Sequence, residues 1–249
     1  MKAATLKLCL PVMAMTAQQT AASLIIPPFL ESLHYPVSAI GSLISVMPVL
    51  ALTARLPTGL IYRGERSRAL MLATLLVMTL CTFLYSYAVQ PLYFALVQAF
   101  FGFAYGAATT IYLAFFVESL PPDEDRHHAM GYYAGCLAVG YSAGGFAAGY
   151  VADKLGYAAT FKFSSLLGLL CIVLLFFLRP PLSRKTQKDS GKAKQSQPVL
   201  ASLKSILEPK TATIVVVALF LNLLHQMGNS LFPLYGLAVG LTLTQVGAI

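Results

Sequence analysis

Three sets of polar side chains lie inside otherwise apolar stretches, and two of the sets share one spacing. Thr16, Gln19, Thr20 and Ser23 occupy positions i, i+3, i+4 and i+7, and Asn222, His225, Gln226 and Asn229 repeat that pattern 206 residues on. On an α-helix such positions form a single face about 100° wide. The third set, Gln98, Gly102, Tyr105, Thr109 and Tyr112, also falls on one helical face. Amides, hydroxyls and an imidazole in these places offer hydrogen bonds, either to a neighbouring helix or to a polar solute. His225 is the ionisable side chain nearest the middle of an apolar stretch. With a reference pKa of about 6.5, it either carries a proton near neutral pH or stays neutral and bonds a neighbour. No phosphate-cradling loop, nucleophile elbow or zinc signature accompanies these residues, so an enzyme is not expected. His127 and His128, beside Asp123, Glu124 and Asp125, read as a solvated loop; neither a metal nor a cofactor is expected.

The apolar stretches must position these groups. Seven run near Leu8–Leu30, Val37–Tyr62, Ala69–Ala88, Leu92–Val117, Ala129–Val151, Ala158–Leu178 and Thr211–Tyr235, and an eighth starts near Leu243. About 20 apolar residues wound as an α-helix match the hydrocarbon thickness of a bilayer. The chain is 57% hydrophobic and 10% charged, against about 25% charged in an average soluble domain. A membrane barrel would show short alternating strands instead. The expected fold is all-α, a polytopic membrane protein whose first partner is the lipid bilayer. The first stretch reads as a retained helix, since it is long and has no small-residue cleavage site. Cys9, Cys81, Cys136 and Cys171 all fall in apolar stretches, as reduced packing residues.

The net charge of +8 would suggest nucleic acid in a soluble protein, but its placement points to topology instead. With the N-terminus in the cytoplasm, Lys2, Lys7, Arg63, Arg66, Arg68, Arg126, Arg179, Arg184, Lys185, Lys188, Lys192, Lys194, Lys204 and Lys210 all fall inside. Of the 17 basic residues only Lys154 sits in an outer loop, while Arg55 and Lys162 lie within spans near enough to an end to snorkel. The expected location is the cell membrane, of the bacterial inner-membrane kind, with no nucleic-acid partner.

Three regions follow: a six-helix bundle over 1–178, a basic cytoplasmic linker over 179–210, and the beginning of a second bundle over 211–249. The linker's middle, Ser183–Pro198, is rich in Lys, Ser and Gln. Gly59-Leu-Ile-Tyr-Arg-Gly-Glu-Arg after the second stretch resembles Gly149-Tyr-Val-Ala-Asp-Lys-Leu-Gly after the fifth, and Glu31-Ser-Leu echoes Glu118-Ser-Leu. Repeats three helices apart reverse sidedness, which makes inverted triplets. Pro27 and Gly41 are 14 residues apart, as are Pro233 and Gly247, so the seventh stretch looks like the first helix of a second half. Gly131, Gly135, Gly140, Gly144 and Gly149 in the fifth stretch allow close helix packing.

With these repeats the chain resembles the major facilitator superfamily along its whole length. In that family the loop between helices 2 and 3 carries a Gly-x-x-x-Asp-Arg-x-Gly-Arg-Arg type motif. Here Gly59 and the basic residues Arg63, Arg66 and Arg68 are present, but the Asp is missing or replaced by Arg63, while the outer counterpart keeps an acid at Asp153. Gln98-Ala-Phe-Phe-Gly102 stands where the family has Arg-x-x-x-Gly, and Gly140-Tyr-Ser-Ala-Gly144-Gly145 stands where its exporters carry a glycine- and proline-rich helix 5 motif. The resemblance implies a six-helix N-terminal bundle of 3+3 inverted repeats, then helix 7 and the start of helix 8. It also implies secondary active transport of a small solute by alternating access, with a proton or another ion as coupling partner.

Helices 1, 4 and 7 line the central path in such proteins. The implied solute cavity is therefore bordered by Gln19, Gln98, Tyr105, Tyr141, Asn222, His225, Gln226 and Asn229, with Gly59, Arg63, Arg66 and Arg68 as the loop 2–3 gating motif. The chain ends where the partner of helix 2 begins, which implies the front part of a twelve-helix transporter, inactive alone or paired with another chain. Helix 7 is then expected to be the least tightly packed span. The alternatives are a seven-helix receptor, against which the charge bias counts, and a truncated membrane protein that does not transport.

Overall fold

In a computed structural model the described residues are 3–62, 66–120, 125–178, 213, 217, 220 and 232–248. All their regular structure is helical: α1 Ala3–Ser32, α2 Val37–Ile61, α3 Ser67–Leu84, α4 Pro91–Ser119, α5 Arg126–Leu155, α6 Tyr157–Phe177, α7 (232–238) and α8 Leu243–Ala248. A 3₁₀ turn, Tyr85–Tyr87, extends α3. The linker 179–210 lies outside the described residues, as do Asn222, His225, Gln226 and Asn229 and so most of the seventh stretch, whose packing is therefore not described.

The breaks lie where local chemistry stops a helix. Pro36 precedes α2 with extended backbone, and Pro91 opens α4, where its missing N–H and fixed φ suit the first helical turn. Asp125 caps α5 by accepting the His127 N–H at 2.9 Å, and it also meets His128 Nδ1 at 2.7 Å. That amide first, then the His128 ring, holds the Asp125 carboxyl below its usual range. Gly156 ends α5 and begins α6 with φ +82°, a conformation that disfavours any residue with a Cβ.

α1, α2, α3 with its 3₁₀ extension, α4 and α6 contain spans long and apolar enough to cross a membrane. α5 has 30 residues, but its many Gly, Ala and Tyr make it less apolar than the other five. One face of it packs along α1, α6 and α8, and the rest, including Val139, Phe146 and Tyr150, is exposed.

Two parallel helix pairs organise the bundle. Met47 and Ala51 of α2 lie against Gly102 and Gly106 of α4, and Met13 and Ala17 of α1 against Gly140 and Gly144 of α5. A Cβ at Gly106 would come within 2.7 Å of the Ala51 Cα, and one at Gly144 within 2.6 Å of the Ala17 Cα. These helices touch backbone to backbone, as small residues permit in membranes. Of the expected glycine seam on α5, Gly140, Gly144 and Gly149 are packed, whereas Gly131 and Gly135 face open space.

α3 and α6 join the pairs through an aromatic layer. The Tyr85 ring lies 5.3 Å from Phe94, 5.9 Å from Phe101 and 5.4 Å from Phe161. Gln18 Nε2 reaches Thr79 and Thr82 on α3 at 3.5 and 3.4 Å, and the Ser164 hydroxyl on α6 donates to the Gln18 carbonyl at 2.7 Å. At one end of the bundle the Tyr35 hydroxyl donates to the Val89 carbonyl at 2.9 Å, and Ser86 to the Ala158 carbonyl at 3.3 Å. At the other end, Tyr62 and Arg68 make the corresponding cross-links. Alternating breaks thus gather at opposite ends, as the sequence implies. Arg66, Arg68 and Arg126 share one end, and Lys154 is at the other.

Candidate functional site

The polar stripe on α4 divides into three parts. At its centre Tyr105 is half-buried, and its hydroxyl lies 3.4 Å from that of Tyr141 on α5. Thr109, one turn on, is also half-buried and bonds back to the Tyr105 and Gly106 carbonyls. The stripe's ends are covered. Gln98 is only 2% exposed, and its side-chain oxygen accepts the Tyr85 hydroxyl. Tyr112 is 1% exposed and donates to the Leu8 carbonyl.

Gln98, expected to border an open cavity, is here buried and bonded to Tyr85 of the 3₁₀ turn after α3. α3 closes over one end of the α4 face and α1 over the other, so one sequence stripe meets three different surroundings. Crossing helices part along their length in this way.

The α1 stripe divides similarly. Thr16 is buried, packed on Gly140, and bonds to the Val12 and Met13 carbonyls at 3.0 Å each. Gln19, Thr20 and Ser23 remain half-buried, with Gln19 Nε2 donating to Ser23 at 2.9 Å. Gln19 makes its side-chain bonds within its own helix and none to the tyrosine pair. Its neighbour Gln18, a residue that sequence reasoning passed over, is turned by one residue's 100° into the α3–α6 seam, where its Oε1 is buried without a partner among the described residues.

The loop 2–3 residues do separate jobs. Gly59 is exposed with open space around it, Arg66 is exposed just before α3, and Arg63 lies outside the described residues. Arg68 donates to the Phe176 carbonyl at 2.8 Å and lies 5.5 Å from the Phe176 ring. A guanidinium there satisfies a free carbonyl at the C-terminus of α6 and complements its dipole. Nearby, the Tyr62 hydroxyl donates to Glu118 at 2.8 Å, tying α2 to α4.

The repeat of the loop 2–3 motif, at the opposite end of the bundle, makes a longer-range contact. Asp153, near the end of α5, accepts the Leu243 N–H at 3.1 Å and the Thr244 N–H at 2.8 Å, and so caps α8. Below this cap a Cβ on Gly149 would sit 2.6 Å from the Leu243 carbonyl carbon. Partial burial pushes the Asp153 carboxyl up, but the bonds from the Thr244 hydroxyl and amide and from the Leu243 amide outweigh it and hold the group below its usual range. Among the described residues no three His, Cys, Asp or Glu side chains gather as metal ligands would.

Neither a curated protein nor a solved structure matches the chain. The family model described as Major Facilitator Superfamily matches residues 8–249. The match begins in α1 and takes in every later helix, including the glycine seams and the Asp153 contact, and the receptor alternative gives way to it. The helices are thus those of a multi-pass membrane transport protein, and the chain belongs to the major facilitator superfamily.

Proposed function

We propose that the chain carries out the solute-facing part of secondary active transport by alternating access, with residues 1–178 as one bundle and 211–249 as the beginning of the facing one. The observation that carries this reading is the Tyr105–Tyr141 hydroxyl pair, which bridges α4 and α5 inside apolar helices. Polar groups at that depth are tolerated when they face protein or a water-filled path, and are costly against lipid. Gln19, Tyr105 and Tyr141 supply the solute's hydrogen bonds from this bundle. Asn222, His225, Gln226 and Asn229 supply them from the facing helix, with His225 as the group that would carry a coupled proton.

The Asp153 clasp holds α8 against the outer end of α5 and closes that end, while Gly59, Arg63, Arg66 and Arg68 mark the inner, cytoplasmic gate. The N-terminus then lies in the cytoplasm. The test is solute counterflow into proteoliposomes, run over a panel of neutral, anionic and cationic metabolites. Gln19→Ala and Tyr141→Phe should each lower flux of the accepted solute several-fold with unchanged reconstitution. Flux indifferent to both changes would remove the site.

A further inference from the structure

Arg55 is a cation within a span that the transport reading leaves unused. It sits six residues before the end of α2, roughly 9 Å along the helix axis from Ile61, and it is exposed. No carboxylate pairs with it among the described residues. An unpaired guanidinium within a span is expensive unless it reaches the interface or meets an anion. The register of α2 on α4 decides between these. Met47 meets Gly102 and Ala51 meets Gly106, so by register Arg55, one turn later, falls at the level of Thr110.

Long helical side chains lean toward the helix N-terminus. In α2 that direction leads from Thr110 back to the level of Tyr105, away from the inner end to which snorkelling would carry the charge. Tyr105 at that level is bonded to Tyr141, and Arg55 is near enough for its charge to bear on the Tyr105 hydroxyl. One guanidinium and two phenol hydroxyls are thereby set at neighbouring levels of α2, α4 and α5.

We infer that Arg55, with the Tyr105 and Tyr141 hydroxyls, forms a binding site for a small oxyanion, a carboxylate or a phosphate, on the solute path. The inference rests on the transport reading and assigns its substrate class. A guanidinium holds such a group through two parallel N–H···O bonds, and the phenols donate to its remaining lone pairs. The bound anion also supplies the countercharge that this span lacks.

The experiment is calorimetric titration of the purified full chain in dodecyl maltoside, a detergent without phosphate, with benzoate, phenyl phosphate and neutral benzamide. At least one anion should bind and benzamide should not. Arg55→Gln should weaken anion binding about ten- to a hundredfold, the scale of a lost charge-assisted bond. Arg55→Lys keeps the charge but not the two-pronged geometry, and should bind several-fold more weakly with an unchanged melting temperature, which guards against a misfolded Gln variant. Absence of anion binding, or equal binding by Arg55→Gln and Arg55→Lys and the parent, overturns the inference. So does Arg55-dependent stabilisation by phosphatidylglycerol without binding of either soluble anion, which would assign the guanidinium to a lipid headgroup. Benzamide binding that is weakened by Gln19→Ala and Tyr141→Phe but not by Arg55→Gln would refute the oxyanion and leave the solute path standing. Indifference of every probe to all of these changes would overturn both.

Discussion

The Asp153 carboxylate accepts both the backbone N–H and the hydroxyl of Thr244, at 2.8 and 2.5 Å. One side chain near the end of α5 thereby fixes the first turn of a helix that follows it by some 90 residues. Because the contact depends on ionised Asp153, it depends on pH. The folded carboxyl lies below its ordinary value of 3.8, so its contribution is full well above that value and is lost as pH falls through the lower, folded value. Asp153→Asn should mimic acidification. After solvent screening the loss is about 1 kcal/mol, read as faster amide hydrogen exchange over 243–248 with α1–α4 unchanged. Equal exchange in the two proteins would show that the clasp holds nothing.

Gln98 and Tyr85 should behave as a structural unit. Gln98→Ala leaves the buried Tyr85 hydroxyl unpaired and should destabilise the bundle by about 1–3 kcal/mol. The double change Tyr85→Phe with Gln98→Leu removes both polar groups and should recover much of that loss. Thermal unfolding of the single and double variants in detergent measures the coupling. A Gln98→Ala protein that kept its stability but bound solute differently would return Gln98 to the cavity.

Glycines on the same kind of helix should differ sharply by position. Gly106→Ala drives a Cβ into the Ala51 backbone, which must separate α2 from α4 at a cost of about 1–3 kcal/mol. Gly131 has nothing within 4 Å, and Gly131→Ala should be neutral or stabilising by up to about 1 kcal/mol through the unfolded chain. Melting temperatures of the two variants decide the matter.

Opposite ends of the bundle should label from opposite sides of the membrane. In a background without native cysteines, Arg126→Cys should react with an impermeant maleimide from the cytoplasmic side and Lys154→Cys from the outer side. Labelling of both from one side would refute the six-span path, and labelling with the two sides exchanged would invert the orientation.

The helix boundaries were legible because Pro36, Pro91 and Gly156 act locally, and the span lengths because bilayer thickness sets them. The surroundings of the polar stripes were not legible. Gln98, Tyr105 and Tyr112 share a face within one helix, yet a partner from α3 and another from α1 cover the two outer positions. Nothing in the α4 sequence encodes which neighbour closes over which turn. The same limit applied to Gln18 and Gln19, adjacent amides separated only by a 100° turn. The register of α2 on α4, which sets the level of Arg55 relative to Tyr105, was likewise not readable from either helix alone.

The glycine seams also bear on how such a chain changes over generations. Where α1 meets α5 and α2 meets α4, main-chain atoms crowd the small residues, joined at Gly140 by the Thr16 hydroxyl. A larger side chain there cannot be accommodated by trimming the residue opposite, because the obstacle is common to all twenty amino acids. The hydroxyls and amide of Tyr105, Tyr141 and Gln19, the proposed solute contacts, lie off those seams, so replacing them leaves the register intact. On that proposal specificity drifts one substitution at a time across a scaffold that admits almost none.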